Sequence, residues 1–435
     1  MHKTKRPLSF LLAVLMIVSM FAAVPFTVSA EGDGSESAPF LISSTEDWNA
    51  FAQAVNGGND YAGKVVKLVS DIDVTTLVGN NRSHRFAGTF DGDGHTITAN
   101  INDNSAQGTA LFRSIAGATL RNLTLAGTVR STQYHAAALF GFAETGTNLV
   151  ENCVVTATVI GKSYAGGVCG HGLSSTVIVR NTVFSGLINV NGTLGVFQGW
   201  ADSDRCTVEN CLYIANSSQP TGNLSYVRNG TQTVTNCFKT GSTIDAQGTL
   251  AHAVTLEGEG FSLDIGEGTS FKNGLTAYAN AIQFDGLIYM PDGSEVRVIT
   301  EAPNAISEIS VNNGAVNVAP NKDGIYSFKM PAANTVVRAT VVPGFAITWL
   351  DEDGTVLGTN YVAEGQIPTH GNPLKESDEQ HAYRFSGWTP EVVAVTGDAT
   401  YTATYTEIDK HRHDELPQIV RTAQKNPSMT QYSRF

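Results

Sequence analysis

One short phrase recurs at nearly constant spacing and constrains this chain more than any other feature. It reads Arg121-Asn122-Leu123, Glu151-Asn152-Cys153, Arg180-Asn181-Thr182, Glu209-Asn210-Cys211 and Thr235-Asn236-Cys237. Successive asparagines are 30, 29, 29 and 26 residues apart. A fixed period of this length marks a solenoid or propeller, in which each repeat buries its apolar face only against its neighbours. Each asparagine is followed by an apolar alternation, such as Leu123-Thr124-Leu125 or Val154-Val155-Thr156. A small residue with a β pair comes next, as in Gly127-Thr128-Val129 and Ala157-Thr158-Val159. A third block follows, as in Ala137–Gly141 and Gly166–Gly170. Each period therefore holds about three short strands separated by turns. The class is all-β, and roughly 400 mature residues leave room for two to four domains.

The chain opens on a basic stretch, Met1–Arg6, then an apolar run from Leu8 to Val24 and a small-residue end at Val28-Ser29-Ala30. This is the pattern of a cleaved secretory signal over residues 1–30. No later segment approaches 18 apolar residues, so no membrane insertion is expected after cleavage. The formal charge of −13 becomes three units more acidic once Lys3, Lys5 and Arg6 leave. Nucleic acid and anionic lipid both call for basic surface, so neither is an expected partner.

Ser44 or Thr45 can cap a helix with Asp47 in the capping-box position. Trp48, Phe51, Ala52 and Val55 form its apolar stripe and Gly57-Gly58 ends it. A lone amphipathic helix ahead of a β-solenoid is expected to cover the open end of the stack, whose strand edges would otherwise pair with other chains.

Thr45–Trp48, Tyr61–Lys64, Leu68–Asp73 and Phe86–Ile97 together resemble the opening of bacterial secreted β-helix proteins. Gly166–Gly170, followed by Val177–Asn181 and Gly186–Ile188, is similar to the GLUG repeat of such surface proteins. The resemblance covers roughly residues 40–240. It implies a right-handed parallel β-helix of the pectin-lyase type, expected over 31–245 with its cap, and a bacterial, Gram-positive secreted or cell-surface location. Residues 251–342 read as a small β-sandwich-like module. Residues 345–407 hold Tyr383–Trp388 and a closing alternating strand at 399–405, and are similar to the Listeria–Bacteroides repeat of internalins, which implies a β-grasp-like fold. Tyr401 and Tyr405 there read as core. The tail, 408–435, is polar and aperiodic and carries His411 and His413. Leu416–Val420 does not match a sortase signal.

Stacked asparagines bond amide to amide along a solenoid and satisfy turn backbone. Asn122, Asn152, Asn181, Asn210 and Asn236 are therefore read as a structural ladder. Cys153, Cys211 and Cys237 follow it at one inward position and read as buried free thiols; a Cys211–Cys237 bridge between neighbouring rungs stays open. Asp91 and Asp93 could be drawn as a calcium loop, but Asp and Gly are also what a tight turn requires, and no complete ligand set is present. No cofactor is implied.

The leading function is a noncatalytic extracellular adhesin or glycan-binding scaffold, monomeric, with glycans or host and cell-surface proteins as partners. The alternative is a polysaccharide lyase or hydrolase on the β-helix face, which needs paired carboxylates or a base with a cation. Asp202 and Asp204, with His171 about one period earlier, form the acid cluster such an enzyme would use; a polar turn is its plainer reading. A metallopeptidase is disfavoured because the chain has no His-Glu-x-x-His. Function is expected on outward faces and the stretches 191–205 and 216–229 rather than on the repeated residues.

Overall fold

The computed structural model describes residues 32–410 apart from 203–204, 246 and 322–323. The signal segment, the His411/His413 tail and Asp204 lie outside the described residues. Three parallel sheets wind into a β-helix of about seven turns. The first sheet stacks Phe40–Ile42, Val65–Leu68, Thr89–Asp91, Thr119–Arg121, Thr147–Glu151, Thr176–Arg180, Arg205–Glu209 and Thr231–Thr235. The second includes Thr96–Asn102, Thr124–Arg130, Thr158–Gly161 and Leu187–Val190. The third holds Phe112–Ile115, Phe140–Ala143, Cys169–Leu173, Leu194–Asp202 and Asn223–Ser225.

Five successive rungs turn from the first sheet into the second at the ladder asparagine. All five asparagines sit in the left-handed region, with φ between 49° and 54°. Asparagine is the residue besides glycine that visits this region most readily, so one residue makes a sharp corner at little cost. The amides then join rung to rung. Asn152 Nδ2 donates to Asn122 Oδ1 at 3.1 Å, Asn181 to Asn152 at 3.1 Å, Asn210 to Asn181 at 3.2 Å and Asn236 to Asn210 at 2.9 Å.

Both ends of the ladder are closed. At the start, Asn122 Nδ2 donates to Asp91 Oδ1 at 2.9 Å. At the finish, Asn236 Nδ2 also donates to Tyr278 O at 3.1 Å. Asp91 is thus the carboxylate head of the ladder. Burial works against its ionisation, but bonds from Asn122, Asp93 N and Arg121 prevail and hold its pKa below the usual carboxylate value. Asp93 is paired with Lys67 at 2.8 Å and Lys272 at 3.1 Å. The calcium-loop reading of Asp91 and Asp93 therefore gives way to a turn and a pair of ionic clasps.

A capping helix, α1 (Thr45–Asn56), begins at Ser44, whose hydroxyl accepts from Asp47 N at 3.2 Å. The Asp47 carboxylate returns the bond one residue earlier, to Ser43 N at 2.9 Å. Trp48 and Phe51 are fully buried against Phe86, Phe90 and Phe112, with Trp48 edge-on to Phe90 at 5.8 Å. The helix thus seals the first rungs with aromatic side chains. All five cysteines are buried, and Cys211 and Cys237 are not bridged.

The solenoid does not end at a linker. Thr249–Glu257 continues its second sheet, pairing parallel with Phe238–Lys239, antiparallel with Leu287–Pro291 and parallel with Thr335–Pro343. The segment containing Leu275, Ala277 and Ile282 folds back over Val154, Val183, Leu212 and Phe238 on the solenoid. Asn273 Nδ2 ties it down by donating to Cys153 O at 3.2 Å and Asn181 O at 2.8 Å. A further core of Val296, Val298, Phe328 and Val337 lies beyond. The last unit is a mixed four-stranded sheet in which Phe345–Leu350 runs parallel to Ala399–Asp409. Tyr401 is buried there and stacks on Trp349 at 5.0 Å, while Tyr405 donates to Asp351 Oδ1 at 2.8 Å.

Candidate functional site: the aromatic face of the third sheet

In the third sheet Ser114, Phe142, His171 and Trp200 are register partners in turn. The next residues along these strands, Ala143 and Ala201, are fully buried, so by strand alternation Phe142, His171 and Trp200 point outward. Ring centroids lie 5.9 Å apart from Phe142 to His171 and 6.5 Å from His171 to Trp200; Tyr226 then stacks on Trp200 at 5.2 Å. Phe142, His171, Trp200 and Tyr226 each stand ten residues before a ladder asparagine. That offset was the available signal in the sequence. Of the four, sequence reasoning singled out His171 alone.

A second row comes from the corner before the strip. His135 and Tyr164 hold φ of 63° and 55°, and their rings stack at 5.7 Å. His135 also stacks on His171 at 4.5 Å, and Tyr164 meets Trp200 at 4.3 Å. Tyr134 stacks on Tyr164 at 5.7 Å. A bulky side chain in this backbone region costs about 1–2 kcal/mol. The rung before has Gly108 at φ 77°, bonded through its N–H to Tyr134 O. There glycine is required, because a Cβ would lie 2.3 Å from the Phe142 ring. Strained aromatics beside a row of rings are the kind of outlier from which a functional hypothesis properly starts.

Cations border the rings. Arg82 lies 5.1 Å from the Phe142 centroid, Lys162 4.4 Å from Tyr134 and Arg228 5.5 Å from Trp200. Two carboxylates share the face. Glu144 takes a two-pronged bond from Arg82, at 2.5 Å from Nε and 2.7 Å from Nη2. Asp202 accepts from Trp200 Nε1 at 2.7 Å and faces Arg228 at 3.9 Å. Gly172 is register partner to both Ala143 and Ala201. Glu144 and Asp202 are the next residues on those flanking strands, hence roughly 9.6 Å apart in strand spacing.

The structure therefore brings His171 and Asp202 onto one face without bonding them. Burial lowers the His171 pKa to about 4, with Asp202 and Glu144 pulling it up and Arg82 pushing it down. Burial, then His171 itself, lowers His135 to about 3. Both imidazoles are neutral at physiological pH, and His171 Nε2 and His135 Nδ1 have no hydrogen-bond partner among the described residues. Asp202 also ends a continuous strand, Leu194–Asp202, instead of sitting in a long turn over 191–205. Among the described residues no group of three His, Cys, Asp or Glu side chains could hold a metal ion.

No protein family matches the sequence, and no curated protein does. Among solved structures, a Bacteroides ovatus chain described as a candidate immunoglobulin A1 protease aligns with 48% of this chain and 77% of its own. The identity is 17% and the TM-score 0.36, and no residue role is carried over from it.

Proposed function

We propose that this chain is a noncatalytic extracellular or surface-held bacterial scaffold that binds glycans along the third sheet. The observation that carries this reading is the run of part-exposed rings His171, Trp200 and Tyr226, backed by the buried Phe142 and flanked by His135 and Tyr164. Strand pairing fixes the rings at rung spacing, so little conformational entropy is lost when a ligand lies along them. Sugar rings offer apolar C–H faces to aromatic rings and hydroxyls to neighbouring carboxylates, here Glu144 and Asp202. A noncatalytic role agrees with both carboxylates being held by protein donors.

Residues 31–435 printed on a glycan array and followed by calorimetry test the proposal. Binding is expected, and Trp200→Ala should weaken it at least about tenfold. Array-wide silence, or binding indifferent to that change, would count against the strip. One observation keeps the enzyme reading alive: two carboxylates, Glu144 and Asp202, flank this face about two strand spacings apart, and glycoside hydrolases act through a carboxylate pair. Turnover of a bound polysaccharide that is lost in Asp202→Asn would replace the scaffold reading.

A further inference from the structure

We infer that the glycan bound on this strip is anionic, and that its carboxylate or sulfate group is held at the Phe142 end by Arg85 and Arg82. The inference rests on the strip reading and adds the ligand's charge. Beside Phe142 the surface opens into a cleft of about 420 Å³ lined by Arg82, Ser83, Arg85 and Glu144. Arg82 and Glu144 satisfy each other, and Ser114 Oγ lies 3.2 Å from Glu144 Oε1. Arg82 spends Nε and one Nη2 hydrogen there, which leaves three of its five N–H donors. Arg85 makes no ion pair among the described residues. The cleft thus presents one unpaired guanidinium and part of a second, in the fork geometry that fits carboxylate and sulfate oxygens.

The charge along the rest of the strip has the same sign. Arg82, Arg85, Lys162 and Arg228 border it against Glu144 and Asp202, and both histidines are neutral. This is a locally cationic face on a chain whose formal charge is −13. Screening confines interactions between exposed charges to about 8 Å at physiological salt, so a ligand on the strip feels the local cations more than the net charge.

The test is calorimetric titration of residues 31–435 with matched oligosaccharide pairs. One pair is a polygalacturonate oligomer and its fully methyl-esterified form; the other is a sulfated glycan oligomer and its desulfated form. The anionic member of one pair is expected to bind at least about tenfold tighter than its neutral partner, and which pair does so separates carboxylate from sulfate ester. That preference should shrink with added salt and fall to near parity in Arg85→Gln, while Arg85→Lys, with the charge kept, retains part of it. Melting curves of both variants serve as the folding control. Equal binding of both members in both pairs would overturn the inference and leave the strip standing, as would a preference untouched by Arg85→Gln. No binding by any of the four, with none on the array, would overturn the strip reading itself.

Discussion

Asn181 does three things at once. It makes the corner at φ 51°, donates to Asn152 and accepts from Asn210. Replacement by leucine removes both amide bonds inside a buried column and forces a bulky side chain into the left-handed region. Asn181→Leu should therefore cost about 1–3 kcal/mol for the unpaired groups alone. Asn181→Gly keeps the corner and should cost less, so thermal denaturation of the two variants separates ladder from corner. The residue that follows each asparagine is equally committed. Burial raises the Cys153 thiol to about 12, and burial with the neighbouring Cys237 raises Cys211 well above its ordinary value. Thiolates are the reactive form. Native protein should show almost no reaction with a thiol reagent, and denatured protein should titrate all five cysteines of the chain. Asparagine spacing was legible because a ladder needs one residue type at one position. The thiols' inward direction followed from sharing a position with Leu123.

Along the first sheet the residues before the first four asparagines alternate in sign, with Asp91 as a fifth member at the head of the column and the neutral Thr235 at its foot. Asp91, Arg121, Glu151, Arg180 and Glu209 are register partners in sequence. Arg121 bonds Asp91 at 2.9 Å and Arg180 bonds Glu151 at 2.6 Å. A slip by one whole rung would set like charges opposite each other, so the column favours one pairing. Arg180→Glu would place three carboxylates in a row. It should destabilise by about 0.2–1 kcal/mol per lost pair, less at high salt, read as melting temperature against ionic strength. The histidine pair on the third sheet acts on stability through pH. Both have folded pKa values below the ordinary 6.5, at about 3 and about 4. The unfolded chain therefore takes up protons first as pH falls, and stability drops between about pH 6.5 and 3. Lowered carboxylates such as Asp91 and Asp103 lose their contribution as pH falls through and below their unfolded value of 3.8, so the two windows overlap only at the acid end. A His135→Phe/His171→Phe double variant should flatten the melting temperature across pH 6.5–4.5 and leave the steeper fall at lower pH.

At the scale of the whole molecule, the chain beyond residue 257 completes the solenoid. Its fold-back segment covers Val154, Val183, Leu212 and Phe238, and Tyr278 O receives the last amide of the ladder. A fragment of residues 32–257 should lose both and expose an apolar face together with unpaired strand edges. Size-exclusion chromatography should show it self-associating, while a fragment of residues 32–343 stays dispersed. The sequence marked a change of pattern near 245–251, and composition does change there. Continuity through Thr249–Glu257 was not legible, because pairing between strands far apart in sequence leaves no local periodicity.

The repeat by itself determined the solenoid, its inward face and its ladder. A corner of one residue and a core of stacked equivalents both demand the same residue type every 26 to 30 positions, and such a demand is visible in a linear chain. The capping helix was equally local, since Ser44, Asp47 and the Trp48–Val55 stripe lie within one segment. Only the tertiary structure decided which outward residues meet. Tyr134, His135, Phe142, Tyr164, His171, Trp200 and Tyr226 belong to four successive rungs, and it is winding that sets rings of neighbouring rungs 4.3–6.5 Å apart. Arg82 and Arg85 lie more than fifty residues before Phe142, and the cleft they line with Glu144 exists because neighbouring turns of the solenoid stack.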